Sequence, residues 1–215
     1  MQKRSTDLVV TGACCLAIGL MYLWSYGRGV SQIPKGMGDF IHFYAAAEAM
    51  LHGRDIFASG TGGYIYPPLI AFVYLPLAKL SLAAAARTDL IINIFLSATT
   101  LFLAARECAR RVGLQPRPVL LAVIAAIAAA SMADKIRTEL RMGQTDVLML
   151  LCFTLGLVWL RRRPTLAGLA LGFAFNIKYL PLVLLPYLIV RRRWHAALAF
   201  VAGILLFAFL PALYT

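Results

Sequence analysis

Three side chains stand out against a strongly apolar chain: Asp39 in a Gly-rich polar stretch, Gln144 where a loop enters a helix, and Lys178 between two short apolar runs. An aspartate at a membrane boundary, facing other polar groups, can take a proton from an alcohol as a general base. Its competing reading is an N-cap, because Asp39 stands at the start of a predicted helix. Glu48, on the polar flank of that helix, and Asp55, in a turn after Arg54, are the other carboxylates nearby. A lysine at membrane depth is costly and marks a site, and its natural partner is a lipid phosphate entering from the outer leaflet. Snorkelling to the interface is the alternative for Lys178.

Gly143-Gln144-Thr145-Asp146 opens a helix, so its backbone amides and the helix dipole are placed to hold an anion. Equally, Thr145 or Asp146 would serve as an ordinary cap there. Arg137 and Arg141 precede it at i, i+4 spacing; one of them contacting phosphate competes with both simply meeting lipid headgroups. The sequence holds no CxxC and no His/Cys cluster with metal-ligand spacing, so no metal and no other cofactor is expected.

The elements that position these residues are dictated by composition. Of 215 residues 61% are hydrophobic and only 14% charged, and the mean hydropathy is +0.80. Those values exclude an ordinary water-soluble domain. The net charge of +12 does not point to nucleic acid, because the basic residues fall in short clusters between apolar runs rather than along a solvated face. The expected fold is all-α: a single transmembrane domain over residues 1–215, a polytopic bundle of about seven membrane helices. Residues 8–26, preceded by Lys3 and Arg4 and ending in Trp24 and Tyr26, read as an uncleaved first membrane helix. Residues 27–86 read as an external loop with interfacial helices and 87–215 as the remaining membrane helices.

Charge sets the orientation. Arg106, Arg110, Arg111 and Arg117, then Arg161, Arg162 and Arg163, then Arg191, Arg192 and Arg193, mark three cytoplasmic loops. The intervening loop, residues 134–146, and the break near Asn176 and Lys178 then face the other side. A cytoplasmic N-terminus and an external 27–66 loop require one crossing between residues 67 and 105. Pro67, Pro68, Pro76 and Lys79 disqualify residues 67–86 as a span, so that stretch is expected to lie in the interface while Asp89 to Ala105 crosses alone. Residues 165–176 and 179–190 are each about 18 Å long as helices, short of a core of roughly 30 Å, and arginines tether both outer ends to one side. The pair must go in and come back, with Lys178 at its tip. Phe40, Phe43, Tyr44, Ala47 and Leu51 define the apolar face of a short amphipathic helix ending at Gly53.

Gly38-Asp39 followed by Tyr44-x-x-Ala47, Gly53-x-x-Ile56-Phe57, Tyr66-Pro67-Pro68-Leu69 with Pro76-Leu77, Gly143-Gln144, and Gly168-x-x-x-Gly172 with Lys178 and Pro181 occur in that order. Together they resemble the C-type glycosyltransferases, in particular the family 87 polyprenol-phosphate-mannose-dependent mannosyltransferases. The resemblance implies a membrane enzyme that moves a mannosyl or related hexosyl or pentosyl group from a polyprenyl-phosphate-linked donor. It implies an extracytoplasmic active face on the cell membrane, and an inverting reaction with Asp39 as base. Lys178, Gln144, Arg141, Arg137, His42 and Tyr66 are then expected around the donor's phosphate and sugar. Partners on this reading are the polyprenyl-phosphate sugar and membrane lipids, with no nucleic acid. Family members are usually about twice this length, which leaves three readings: a truncated or split enzyme, one needing a second subunit for C-terminal helices, or a non-catalytic lipid-binding scaffold.

Overall fold

A computed structural model describes residues 2–214. Helix α1 (Gln2–Val30) begins inside the basic N-terminus and outlasts the predicted 8–26 at both ends. Its polar interior residues do not break it, because Thr11 and Ser25 donate their hydroxyls to the carbonyls of Asp7 and Met21 one turn back, both at 2.7 Å. After a 3₁₀ turn at Ile33–Lys35 come three short helices: α2 (Phe40–Leu51), α3 (Pro68–Val73) and α4 (Leu75–Ala78). Pro68 opens α3, where a missing N–H costs nothing, and Pro76 is the second residue of α4, still within the first turn where the N–H has no helical partner. Neither is long enough to cross a bilayer, as the proline spacing leads one to expect.

Helix α5 (Leu82–Arg111) then runs for 30 residues, well beyond the predicted crossing at 89–105. Its polar residues Asp89, Asn93, Ser97 and Thr100 fall at i, i+4, i+8, i+11 and are all buried against the rest of the protein. Tyr74 donates its phenol to Asp89 at 2.7 Å, and the Tyr22 and Ser97 hydroxyls bond at 2.7 Å. A polar seam in an apolar helix is thus turned inward, where partners exist.

The remaining helices are α6 (Pro118–Ser131), α7 (Ala133–Met142), α8 (Asp146–Trp159), α9 (Pro164–Phe175), α10 (Leu184–Val190) and α11 (Trp194–Phe209), with 3₁₀ turns at Leu180–Val183 and Leu210–Leu213. Among the described residues all regular elements are helical. The predicted loop at 134–146 is mostly α7, an amphipathic helix that buries Ile136, Glu139 and Leu140 and leaves α6 at a bend of 68°.

The expected count of about seven membrane helices is not met by length. Among the described residues three helices are long and apolar enough to cross, and up to four if the bent α6–α7 pair is one span. The reason is physical. At 1.5 Å per residue the 14-residue α8 and 12-residue α9 reach only about 21 and 18 Å. Breaks at Arg161–Pro164 and Asn176–Tyr179 cut the apolar runs into these shorter pieces.

The short pieces are held by close backbone contact. A β-carbon on Gly168 would come within 2.3 Å of the Ala196 carbonyl oxygen, and one on Gly172 within 2.7 Å of the Gly203 backbone. Small residues spaced by four let α9 and α11 approach this closely. Asn176 then ties the end of α9 to α11, donating to the carbonyls of Gly172 and Ile204 at 3.0 and 3.1 Å. The bundle has two distinguishable ends. Arg111 reaches the carbonyl of Leu157 at one, while residues 37–40 meet residues 142–144 at the other.

Candidate active site

Asp39 occupies the N-cap position of α2, yet its side chain makes no capping bond and its backbone is already helical, φ −73°, ψ −23°. The carboxylate is turned to another element: Oδ2 accepts a hydrogen bond from Nε2 of Gln144 at 3.1 Å. An ionised carboxylate only accepts, so the amide must present its NH₂. Two glycines allow a contact between residues 105 apart in sequence. Gly143 ends α7 in the left-handed conformation, φ +61°, and donates to the Glu139 carbonyl. A β-carbon there would also lie 2.6 Å from that of Phe40, so both the turn and the space demand glycine. Gly38, φ +56°, lies equally tight against Met142. The Asp39 amide then donates to the Met142 carbonyl at 2.8 Å and locks the two segments together.

Lys178 does not snorkel freely. Its ammonium pairs with the Asp146 carboxylate, and the two side chains are 31% and 25% exposed. Asp146 is in the first turn of α8, where a negative charge is favourable, but neither it nor Thr145 caps the helix through its side chain. The Thr145 hydroxyl is buried and has no hydrogen-bond partner among the described residues. Tyr66 lies within electrostatic reach of both pairs. Its ring meets Phe43 edge-on, centroids 4.9 Å apart. Burial raises its phenol above the ordinary tyrosine value, the Asp39 and Asp146 carboxylates add to that, and the Lys178 ammonium works against it. One half-buried hydroxyl therefore senses all three charges.

Between α5, α7 and α8 an apolar cavity of about 240 Å³ is walled by Leu101, Ile136, Val147 and Leu150 and bordered by Lys135, Glu139 and Asp146. Through Asp146 it adjoins the Lys178 pair. An apolar chain with an anionic end fits a cavity of that wall chemistry next to a fixed cation.

Of the other predicted residues, His42 lies one turn along α2 from Asp39, beside Gly60 of the following loop. Arg137 and Arg141 line a separate pocket with Trp24 and Arg28, on another face of α7 from Lys135 and Glu139. Glu48 and Asp55 flank a shallow depression with Arg54, and Asp55 accepts from the Phe57 amide at 2.8 Å, as its predicted turn requires. Two features escaped sequence reasoning. In sequence Asp146 reads only as a helix cap, although an intramembrane lysine calls for a counterion. The inward polar seam of α5 was hidden inside an otherwise apolar run. Among the described residues no group of three or more His, Cys, Asp or Glu side chains is placed to hold a metal.

A model of glycosyltransferase family 87 matches residues 64–215. A protein of Mycolicibacterium smegmatis described as a polyprenol-phosphate-mannose-dependent alpha-(1-2)-phosphatidylinositol mannoside mannosyltransferase is 31% identical over 208 residues, covering 86% of this chain and 47% of that protein. A protein of Mycobacterium tuberculosis with the same description is 30% identical over 179 residues, covering 75% of this chain and 41% of its own length. The chain thus spans less than half the length of these curated relatives. No solved structure matches it. Tyr66, Gln144, Asp146 and Lys178 lie inside the family match, whereas Asp39 precedes it.

Proposed function

This chain belongs to glycosyltransferase family 87, and on that premise we propose that it carries the donor and base half of a polyprenyl-phosphate-dependent glycosyl transfer on the extracytoplasmic face of the cell membrane. The observation that carries the reading is the adjacency of the Asp39–Gln144 and Lys178–Asp146 pairs, joined through residues 144–146 at the start of α8. The relatives' description names polyprenol-phosphate-mannose as donor, so a mannosyl group is the first to test.

In the proposed reaction Asp39, oriented by Gln144, accepts the proton of an acceptor hydroxyl. The hydroxyl oxygen forms a bond to the anomeric carbon from the face opposite the phosphate. The bond from that carbon to the phosphate oxygen breaks, and its electron pair leaves with polyprenyl phosphate. Inversion follows from this single displacement. The leaving group needs a fixed cation rather than a proton, and Lys178 supplies it. The apolar cavity beside Asp146 takes part of the isoprenoid chain.

The test is transfer from a polyprenyl-phosphate-mannose donor to lipid acceptors by the purified protein, alone and with candidate partner subunits. Wild type should turn over and Asp39→Asn should not; equal turnover by both overturns the assignment of the base. Donor binding without transfer by wild type, lost in Lys178→Ala but kept in Asp39→Asn, marks the scaffold reading instead. Membrane sidedness is tested with single cysteines at positions 60 and 162. Labelling of both from the same side overturns the proposed orientation.

A further inference from the structure

We infer a second, anionic-lipid site on the opposite flank of α7, formed by Trp24, Arg28, Arg137 and Arg141, that holds the phosphodiester of a bilayer phospholipid beside the active site. Four observations meet here. First, the guanidiniums of Arg137 and Arg28 both lie over the Trp24 ring, 4.2 and 5.6 Å from its centroid. Contact with the ring face holds each guanidinium in place without using up its hydrogen-bond donors. Second, Arg137 Nε is buried with no hydrogen-bond partner among the described residues, a donor left unanswered there. Third, these side chains and Arg141 line a pocket of about 270 Å³ in which Asp134 is the only acid, so positive charge is in excess. Fourth, Arg137 also borders a neighbouring groove of about 340 Å³ lined by Ala17, Met21, Ala126 and Ala130, between α1 and α6.

A cationic pocket that opens through one arginine onto an apolar groove along two membrane-facing helices has the form of an amphiphile: a headgroup phosphate on the guanidiniums, an acyl chain along the alanines. Tryptophan and arginine at the end of a long apolar helix also stand at headgroup depth. The occupant is a bilayer phospholipid rather than the sugar donor, a choice that rests on the function proposed above. The pocket takes Asp134, Arg137, Thr138 and Arg141 from α7, whereas Lys135, Ile136 and Glu139 face the cavity that adjoins Asp146, so a donor seated here would lie on a different face of α7 from the Lys178 pair.

The experiment uses the full chain with Trp159→Phe and Trp194→Phe, so that Trp24 alone emits. The protein is placed in phosphatidylcholine nanodiscs containing a fixed fraction of either phosphatidylglycerol or phosphatidylcholine brominated on the acyl chains. Brominated phosphatidylglycerol should quench Trp24 several-fold more than brominated phosphatidylcholine, and added salt should erode the difference. The preference should vanish in Arg28→Gln/Arg137→Gln and fall in Arg141→Gln, an exposed position whose loss does not open the core. Equal quenching by the two lipids overturns the inference, as does a preference that survives both variants. A change of Trp24 emission with inorganic phosphate in pure phosphatidylcholine, without lipid preference, makes it a free-anion site. Displacement of phosphatidylglycerol by polyprenyl phosphate at low mole fraction assigns it to the donor. None of these readouts requires transfer activity, so failure here and failure of the catalytic reading remain distinguishable.

Discussion

Asp39 neither caps its helix through its side chain nor forms an ion pair among the described residues; its partner is the neutral amide of Gln144. An amide orients a carboxylate without cancelling its charge, which suits a base. Asp39→Asn is expected to lower transfer by about a hundredfold to ten-thousandfold with donor binding retained, the range for loss of a positioned base. Gln144→Ala removes a bond to a charged group, worth about 1.5–3 kcal/mol, and should lower turnover by roughly tenfold to a hundredfold. Equilibrium donor binding measured beside single-turnover rates checks both. Lys178 and Asp146 call for a different experiment, because each is the other's partner. A double-mutant cycle with Lys178→Met and Asp146→Asn, followed by thermal unfolding in detergent, should give a coupling of about 0.5–3 kcal/mol. Additive effects would mean that the two charges do not meet.

At the scale of elements, the site depends on two loops interlocked through Gly38 and Gly143. Gly143→Ala forces a positive φ on alanine and drives its β-carbon into Phe40. A loss of about 1–3 kcal/mol of stability is expected, with activity falling in parallel. Gly113 is the control, since it has a similar φ, +75°, but nothing within 4 Å of its would-be β-carbon. Gly113→Ala should cost less and leave transfer intact. Gly172→Leu tests the α9–α11 contact that carries Lys178, where overpacking should cost about 1–3 kcal/mol or more and shift the unfolding midpoint.

Across the whole molecule, alkaline titration reports on the aromatic layer beneath the site. Tyr64, Tyr66 and Tyr74 all have phenols raised above 10.0, with burial the largest cause in each. The folded chain keeps those protons where an unfolded chain would lose them. Stability from this source is therefore complete below pH 10.0 and falls as pH rises through the folded values. Phenolate absorbance should lag behind that of a denatured sample and catch up as the helices unfold. Much of this architecture was legible in the residues. The proline cluster at 67–76 announced helices too short to cross, the arginine clusters marked one end of the bundle, and Gly143-Gln144 stood out with Asp39 and Lys178. Two local features, the short α7 helix within 134–146 and the bend after Ser131, were masked by the polar composition of that stretch. The Asp146 counterion and the turning of α5's polar seam toward Tyr74 and Tyr22 depend instead on contacts distant in sequence. Hydropathy counts residues along the chain and is blind to which side of a helix meets a neighbour.

If the donor phosphate docks on Lys178 as proposed, the Lys178–Asp146 bridge makes its arrival a swap rather than an addition. An arriving phosphate must outcompete a carboxylate already in place, so its affinity is the difference between two attractions. The same carboxylate can reclaim the lysine once the sugar has gone, hastening departure of the spent carrier.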